Sequence, residues 1–190
     1  MSGAAEPTQR LFFALWPGEC ARGALRQATA KAVRHCGGRP VPAENLHVTL
    51  VFLGSVAVRR LVELRSLARA QAAAFAREAP LALRFEELVH WSRPQTLGAL
   101  ATGDVPQVQA LATALRDATL SAGFTPDLKP FRAHVTVARK VVHGEGPLVL
   151  SPVVWKLDGF ALLDSRTHPS GPIYSVIDSY PLVKSENARE

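Results

Sequence analysis

The sequence predicts a mixed fold of strands and helices in which two halves repeat one architecture. A tetrapeptide of the form His-x-Thr-x occurs twice, beginning at His47 and at His134, each time within a short apolar segment typical of a strand. Phe12 precedes His47 by 35 residues and Leu100 precedes His134 by 34, with a predicted strand and helix at the same places in each interval. No low-complexity linker separates the halves. We therefore expect one compact unit of two lobes related by a pseudo-twofold axis.

The first half begins with an apolar segment, residues 11–16, that predicts a buried strand. Pro17-Gly18-Glu19 is typical of a helix start, and apolar residues at helical spacing predict a helix to about Arg34. The first motif strand follows and ends near residues 54–55. Apolar residues at helical spacing then predict a second helix, namely Leu61, Leu64, Ala68 and Phe75. Alternating apolar residues predict a third strand, namely Leu81, Leu83 and Phe85.

The second half follows the same order. Residues 97–102 predict a strand, Asp104 with Pro106 predicts a helix start, and Gly123 predicts its end before the second motif. Three further strands are predicted at 153–155, 157–163 and 173–177. The domain organisation expected is a tail at 1–9, one bilobal domain at 10–183 and a polar tail at 184–190.

Composition limits the class of protein. The 190 residues are 47% hydrophobic and 20% charged, which is enough apolar surface to bury a core and excludes wholesale disorder. The net charge of +6 is compatible with an anionic partner. The two cysteines, Cys20 and Cys36, are too few for a disulfide framework or a cysteine-built zinc site.

The N-terminus predicts no membrane partner. Residues 1–10 lack the basic and apolar regions of a signal peptide, and the apolar run at 11–16 is too short to span a bilayer. We expect a cytoplasmic protein, and nothing in the sequence requires more than a monomer.

Each motif places two reactive groups on one side of its strand. Side chains alternate along a strand, so His47 shares a face with Thr49, and His134 with Thr136. Two facing imidazoles can act as acid and base in a displacement at phosphorus, and hydroxyls can hold the non-bridging phosphate oxygens. Arg139 could offset phosphoryl charge. No acidic cluster has magnesium-site spacing, so neither a metal nor a cofactor is expected.

These motifs resemble the paired His-x-Thr-x signature of the 2H phosphoesterase superfamily. The similarity extends over roughly residues 10–182 and is greatest to the bacterial RNA 2',3'-cyclic phosphodiesterase branch, also called the 2'-5' RNA ligase family. Relatives often have Pro directly before the second histidine, where this chain has Ala133. The similarity outside the two motifs is carried by segments 10–14, 45–47, 52–54 and 130–131 and by Arg139.

The resemblance implies an α+β fold: two pseudo-twofold-related lobes of antiparallel sheet with outer helices around a central cleft. It also implies hydrolysis of RNA 2',3'-cyclic phosphate ends to 2'-phosphates, with reverse 2'-5' RNA ligation as an additional activity. By position, His47 would be the proton donor and His134 the proton acceptor. Thr49, Thr136 and Arg139 would bind the phosphate.

Alternatives remain open at this point. A non-catalytic nucleotide- or RNA-binding module could keep the same cleft, and His47 with His134 could instead be metal ligands, although no carboxylate or thiolate accompanies them. The substrate could be an RNA end or a small cyclic nucleotide.

Residues around the motifs have secondary roles in this interpretation. Basic residues beside the second motif are candidates for the RNA backbone, namely Lys129, Arg132 and Lys140. Trp91 is expected in the core more than on a base, His90 and His168 are weaker candidates for substrate contact, and His35 and His143 are expected in solvent. The loop at 167–172 is expected to shape substrate choice.

Overall fold

The computed structural model describes residues 6–144, 147–169 and 171–184. Its elements are β1 (Thr8–Leu15), α1 (Glu19–His35), β2 (Arg39–Pro40), β3 (Val48–Ala57), α2 (Leu61–Ala74), β4 (Leu81–Trp91), β5 (Thr96–Gly103), α3 (Val105–Ser121), β6 (His134–Arg139), β7 (Leu148–Leu157), β8 (Gly159–Arg166) and β9 (Ile173–Pro181). Residues 1–5 and 185–190 of the two expected tails lie outside the described ranges. β1 begins within the expected N-terminal tail, at Thr8.

The strands form two antiparallel sheets with related orders. The first has the order β3-β1-β8-β9, and the second has the order β2-β6-β5-β4-β7. In each sheet the motif strand pairs with the strand that immediately precedes a helix, β1 or β5. The α+β fold with two lobes of antiparallel sheet is therefore confirmed. The lobes do not coincide with the two halves of the chain, because β4 joins the second sheet while β8 and β9 complete the first.

The helices cross between the lobes. α1 follows β1 of the first sheet but packs on β7 and β6 of the second, where Trp155 Nε1 donates a hydrogen bond of 2.9 Å to the Ala21 carbonyl. α3 follows β5 of the second sheet but packs mainly on β3 of the first, and α2 packs on α3 and β9. One contiguous hydrophobic core cluster consequently contains side chains of both sheets. Within the described ranges, none of the helices is long and apolar enough to cross a membrane.

One predicted strand is divided in the structure. The segment 157–163 was expected to be continuous, but β7 ends at Leu157 and β8 begins at Gly159. The Asp158 carbonyl at the turn accepts hydrogen bonds from the Leu182 and Val183 amides, at 2.7 and 3.1 Å. Gly159 then passes so close to the Tyr180 carbonyl that a Cβ would overlap it. The predicted strand is confirmed as β8, but its predicted start is two residues too early, because an apolar run does not show where a chain reverses.

Both motif strands carry a β-bulge at the fourth motif residue. In the pairing of β3 with β1, Thr49 lies opposite Ala14 and Val51 opposite Phe13, which leaves Leu50 as the extra residue. A bulge adds one residue to one strand, so the residues beyond it change face.

The second motif has the same irregularity. In the pairing of β6 with β5, Thr136 lies opposite Gly98 and Ala138 opposite Leu97, so Val137 is the extra residue. The consecutive burial of Val137 and Ala138 matches this shift. The two copies thus repeat in local geometry as well as in residue type.

Candidate active site

The ring of His47 is held by a backbone carbonyl two residues earlier in the chain. His47 lies immediately before β3, and its Nδ1 donates a hydrogen bond to the Asn45 carbonyl at 2.7 Å. Because a carbonyl only accepts, Nδ1 carries the proton and Nε2 is left for chemistry. Nε2 lies 3.0 Å from Oγ1 of Thr49, which places the two side chains on one side as predicted.

His134, the first residue of β6, is held in the same way. Its Nδ1 donates to the Arg132 carbonyl at 2.7 Å, again two residues earlier. The two rings therefore have the same tautomer in their neutral forms, with Nε2 free to accept or donate a proton. This shared arrangement is the local basis for pairing two acid-base groups.

The two motifs meet at one cleft between the sheets, with a volume of about 240 Å³. All five residues selected from the sequence line it, namely His47, Thr49, His134, Thr136 and Arg139. Further lining comes from the edge strand β2 with the segment after it, from the end of β6 and from the start of β9, including Arg39, Asn45, Lys140, Pro172 and Tyr174.

Arg139 reaches the cleft because of the bulge in β6. A residue three positions after Thr136 would face away from it in a regular strand. The extra residue, Val137, shifts the alternation by one and returns Arg139 to the face of the motif. The corresponding position in β3 is Phe52, which packs with the aromatic side chains on the cleft face of the first sheet.

Aromatic rings enclose His47. Its imidazole centroid lies 5.2 Å from Phe12, 5.7 Å from Trp16 and 5.2 Å from Tyr174. These rings also contact one another, and the guanidinium of Arg22 lies 4.6 Å from the Trp16 ring centroid. The wall limits the access of water to His47 and leaves Nε2 directed at the cleft.

This enclosure changes the acidity of the ring. Burial lowers the pKa of His47 to about 4, and the positive charges of Arg139, His134 and Arg22 act in the same direction. The hydrogen bond to the Asn45 carbonyl opposes the change because it favours the charged ring. His47 is therefore neutral at pH 7 in the protein alone, and an anion in the cleft would favour its protonation.

His134 has a more open environment. Burial also lowers its pKa, the hydrogen bond to the Arg132 carbonyl raises it, and the charges of Arg132 and Arg139 lower it further. Trp91 contacts its ring edge-on, at a centroid distance of 4.9 Å. The expectation that Trp91 lies in the core is wrong: the side chain is half-buried beside the cleft, because it is near the end of β4 where the sheet is open.

The basic residues chosen from the sequence separate into two groups. Lys140 lines the cleft, and the Arg132 guanidinium lies 5.2 Å from the Trp91 ring centroid. Lys129 instead forms an ion pair with Asp127 at 2.9 Å and does not line the cleft. Sequence proximity to the second motif did not distinguish these positions.

The remaining histidines lie elsewhere. His90 packs against Gly144, outside the cleft lining, and His35 is exposed at the end of α1, where its Nδ1 lies 2.7 Å from the Lys31 carbonyl. His143 contacts Gly37, and His168 is exposed in the loop before β9. None of the four lines the cleft.

The loop before β9 does reach the cleft. Gly171 and Pro172 line it, and Asn45 Nδ2 donates a hydrogen bond of 2.8 Å to the Pro172 carbonyl, which joins the loop to the first motif. Residue 170 of this loop lies outside the described ranges.

The aromatic wall was missed in the sequence. Phe12 and Trp16 lie four positions apart in one apolar segment, and this even spacing was the available signal for a shared face. Tyr174 had no such signal, because it comes from β9 at the other end of the chain.

Comparisons with known proteins agree with this geometry. A family model described as LigT like Phosphoesterase matches residues 16–99. A protein of Thermus thermophilus named RNA 2',3'-cyclic phosphodiesterase is 32% identical, over 95% of this chain and 93% of its own. An Escherichia coli protein of the same name is 33% identical, over 71% of this chain and 73% of its own.

Solved structures extend the match to the fold. The crystal structure of E. coli LigT complexed with 3'-AMP has a TM-score of 0.82 and 25% identity, covering 94% of this chain and 100% of that one. The structure of TT0787 of T. thermophilus has a TM-score of 0.76 and 30% identity, covering 91% and 97%. With two His-x-Thr-x motifs at one cleft and a relative of this identity over nearly its whole length, the chain belongs to the LigT-like phosphoesterases of the 2H superfamily.

Proposed function

We propose that the protein hydrolyses RNA 2',3'-cyclic phosphate ends to 2'-phosphates without a metal ion. The observation that carries this proposal is the pair of histidines at one cleft, each with Nδ1 bound to a carbonyl, which leaves Nε2 for proton transfer. The relatives named RNA 2',3'-cyclic phosphodiesterase support the substrate class. The reverse reaction, 2'-5' ligation, would use the same groups in exchanged roles.

In this mechanism water attacks phosphorus opposite the O3' oxygen. The bond from the water oxygen to phosphorus forms as the P–O3' bond breaks. His134 Nε2 accepts the proton of the water, and protonated His47 donates its Nε2 proton to O3'. Each proton transfer contributes about 10²- to 10⁴-fold to the rate.

The neighbouring groups hold the phosphate. The hydroxyls of Thr49 and Thr136 donate to the non-bridging oxygens, and the Arg139 guanidinium offsets the charge that gathers there. Thr49 Oγ1 bonds to His47 Nε2 in the protein alone, so on substrate binding the Thr49 hydroxyl donates to the phosphate instead. The anion also raises the pKa of His47, because it offsets the cationic neighbours that lower it.

A basic rim favours an RNA end over a small cyclic nucleotide. Arg39, Arg139 and Lys140 line one side of the cleft and are exposed. Within the described part of the chain, none of the three has an ion-pair partner. Unpaired cations at a rim are suited to the phosphates that continue from an RNA end. The structural relative E. coli LigT was solved in complex with 3'-AMP, which supports a nucleotide as the ligand class.

A cytoplasmic monomer fits the proposed function. Both motifs come from one chain, so the cleft needs no residue from a second copy. Cys20 is an exposed free thiol and Cys36 a buried one, as suits a reducing compartment.

The test follows a short RNA with a 2',3'-cyclic phosphate end by ³¹P NMR, in excess EDTA. The wild-type protein should convert the cyclic signal to that of a 2'-phosphate, and His47→Ala and His134→Ala should each lose most of the rate. His35→Ala, a change at an exposed histidine away from the cleft, is the matched control and should keep full activity.

Two outcomes would contradict the proposal. A cyclic phosphate that persists with the wild-type protein would favour a binding module, and loss of activity in EDTA with recovery on adding a divalent metal would remove the metal-independent mechanism. Circular dichroism of each variant separates lost chemistry from lost folding.

A further inference from the structure

Trp91 lies against the backbone of the neighbouring strand, beside the second motif. Its six-membered ring lies over β5 at Gly98, in the space that a side chain would fill, and a Cβ on Gly98 would overlap Cζ3 and Cη2 of the ring. Gly98 pairs with Thr136 in the neighbouring strand, so the ring lies beside the second motif. Because Gly98 has no side chain, the indole can pack against the backbone of β5.

The position of the ring relative to the reacting groups is also defined. His134 meets Trp91 at 71° and 4.9 Å, an edge-to-face contact. The half-buried indole is therefore adjacent to the imidazole. It does not line the cleft with the phosphate-binding residues Thr49, Thr136 and Arg139. The Arg132 guanidinium, on an exposed side chain, lies over the ring.

The aromatic rings of the first lobe are arranged differently. Phe12, Trp16 and Tyr174 each contact His47 and at least one other member of the group. Their faces and edges are used to enclose the imidazole. Trp91 has one ring neighbour within the described chain, His134. The ring also lies over Gly98, and the Arg132 guanidinium lies 5.2 Å from its centroid.

We propose that Trp91 is the stacking platform for a nucleobase, that of the nucleotide carrying the cyclic phosphate. In such a nucleotide one ribose holds both the phosphate and the base, so a phosphate between the histidines brings the base to the wall of the cleft. The base stacks on the indole, and the Arg132 guanidinium moves outward to stack on the opposite face of the base. Indole and guanidinium planes both stack on unpaired bases. This inference rests on the proposed function.

The site should tolerate all four bases and favour purines. Stacking uses the π-face that every base has, and the larger purine rings cover more of the indole. The ligand class is thus a nucleoside 2',3'-cyclic phosphate or the RNA end that contains it, and not a cyclic phosphate of a simple diol.

The kinetic test compares a substrate with a base, 2',3'-cyclic AMP, with a base-free one, glycerol 1,2-cyclic phosphate. Trp91→Ala should raise KM for cyclic AMP by about 10- to 100-fold, with a smaller change in kcat. It should lower kcat/KM for the base-free substrate much less than kcat/KM for cyclic AMP. Trp91→Phe, which keeps an aromatic face, should recover part of the loss, and Val154→Ala, at an exposed apolar residue of β7, should change neither. Equal losses on the two substrates would overturn the proposal and show that Trp91 only supports His134.

A second variant tests the geometry. Gly98→Ala should displace the ring and reproduce the KM effect of Trp91→Ala. In the Trp91→Ala background it should add little, because the three atoms nearest to the new Cβ all belong to Trp91. An additional KM loss in the double variant would show that Gly98 acts by another route and would count against the platform.

A binding measurement separates this proposal from the proposed function. The indole N–H signal of Trp91, identified by its loss in Trp91→Phe, should shift when 2'-AMP is added and stay in place with inorganic phosphate. That result supports the base site even if the wild-type protein hydrolyses neither cyclic substrate. A Trp91 signal unchanged at saturating 2'-AMP overturns the base site even if hydrolysis is observed.

Discussion

His47 and His134 share their hydrogen bonding but differ in what surrounds them. Each donates Nδ1–H to the carbonyl two residues earlier, and each precedes a strand bulge at the fourth motif position. His47 is enclosed by three aromatic rings, whereas His134 has one, and the position that carries Phe52 in the first lobe carries Arg139 in the second. The hydrogen bonds and bulges that the two lobes share set the geometry of the two histidines. The neighbouring side chains that differ between the lobes set the pKa of each histidine.

The largest effect should come from separating the two roles. With a cyclic phosphate, His47→Ala and His134→Ala should each cost about 10²- to 10⁴-fold in kcat. Thymidine 3'-(4-nitrophenyl phosphate) releases 4-nitrophenolate, a leaving group that needs no proton. On that substrate the His47 variant should recover most of its rate and the His134 variant should not, as followed by nitrophenolate absorbance. Recovery of the His134 variant instead would exchange the proposed acid and base.

The second test concerns the stability of the folded protein against pH. Since burial lowers the pKa of His47 from 6.5 to about 4, the unfolded chain binds more protons between these values. Stability from this group is then fully present above pH 6.5 and is lost as the pH falls to 4, by about 3 kcal/mol at 1.36 kcal/mol per pKa unit. His47→Gln should remove that part of the acid slope in urea unfolding curves. If the acid slope of the His47→Gln variant equals that of the wild type, the aromatic enclosure does not lower the pKa of His47.

The smallest effect concerns the position after each bulge. Arg139→Gln removes the cation that the bulge in β6 directs at the cleft, and it should reduce kcat/KM by about 10- to 100-fold through weaker transition-state stabilisation. Phe52→Leu, the matched change in β3, should alter kcat/KM only a few-fold, because it keeps an apolar packing residue. Similar losses in both variants would mean that the asymmetry of the lobes has no role in binding phosphate.

The sequence predicted the elements well because their signals are local. The helical spacing of Leu111 and Leu115 and the alternation of Leu81, Leu83 and Phe85 correspond to α3 and β4. The meeting of the two motifs was also predictable, since the spacing of elements repeats around them.

The features that were not predicted depend on pairing between distant segments. A bulge is defined by the partner strand, although the consecutive buried residues after each threonine, Leu50-Val51 and Val137-Ala138, were a usable signal. Tyr174 reaches His47 only through the order of the sheet, in which β9 is placed by β8. Trp91 was assigned to the core because hydrophobic size does not show which face of an end-of-strand residue is covered.

The crossing of the helices between the sheets has a consequence for dividing the chain into fragments. Each of the long helices α1 and α3 leaves the sheet of its preceding strand and supplies apolar cover mainly to the other sheet. A fragment holding residues 1–91 would therefore keep α1 without β6 and β7, the strands it covers, and would lack the two strands that complete its own sheet. We conclude that a break between β4 and β5 yields no fragment that holds one complete sheet.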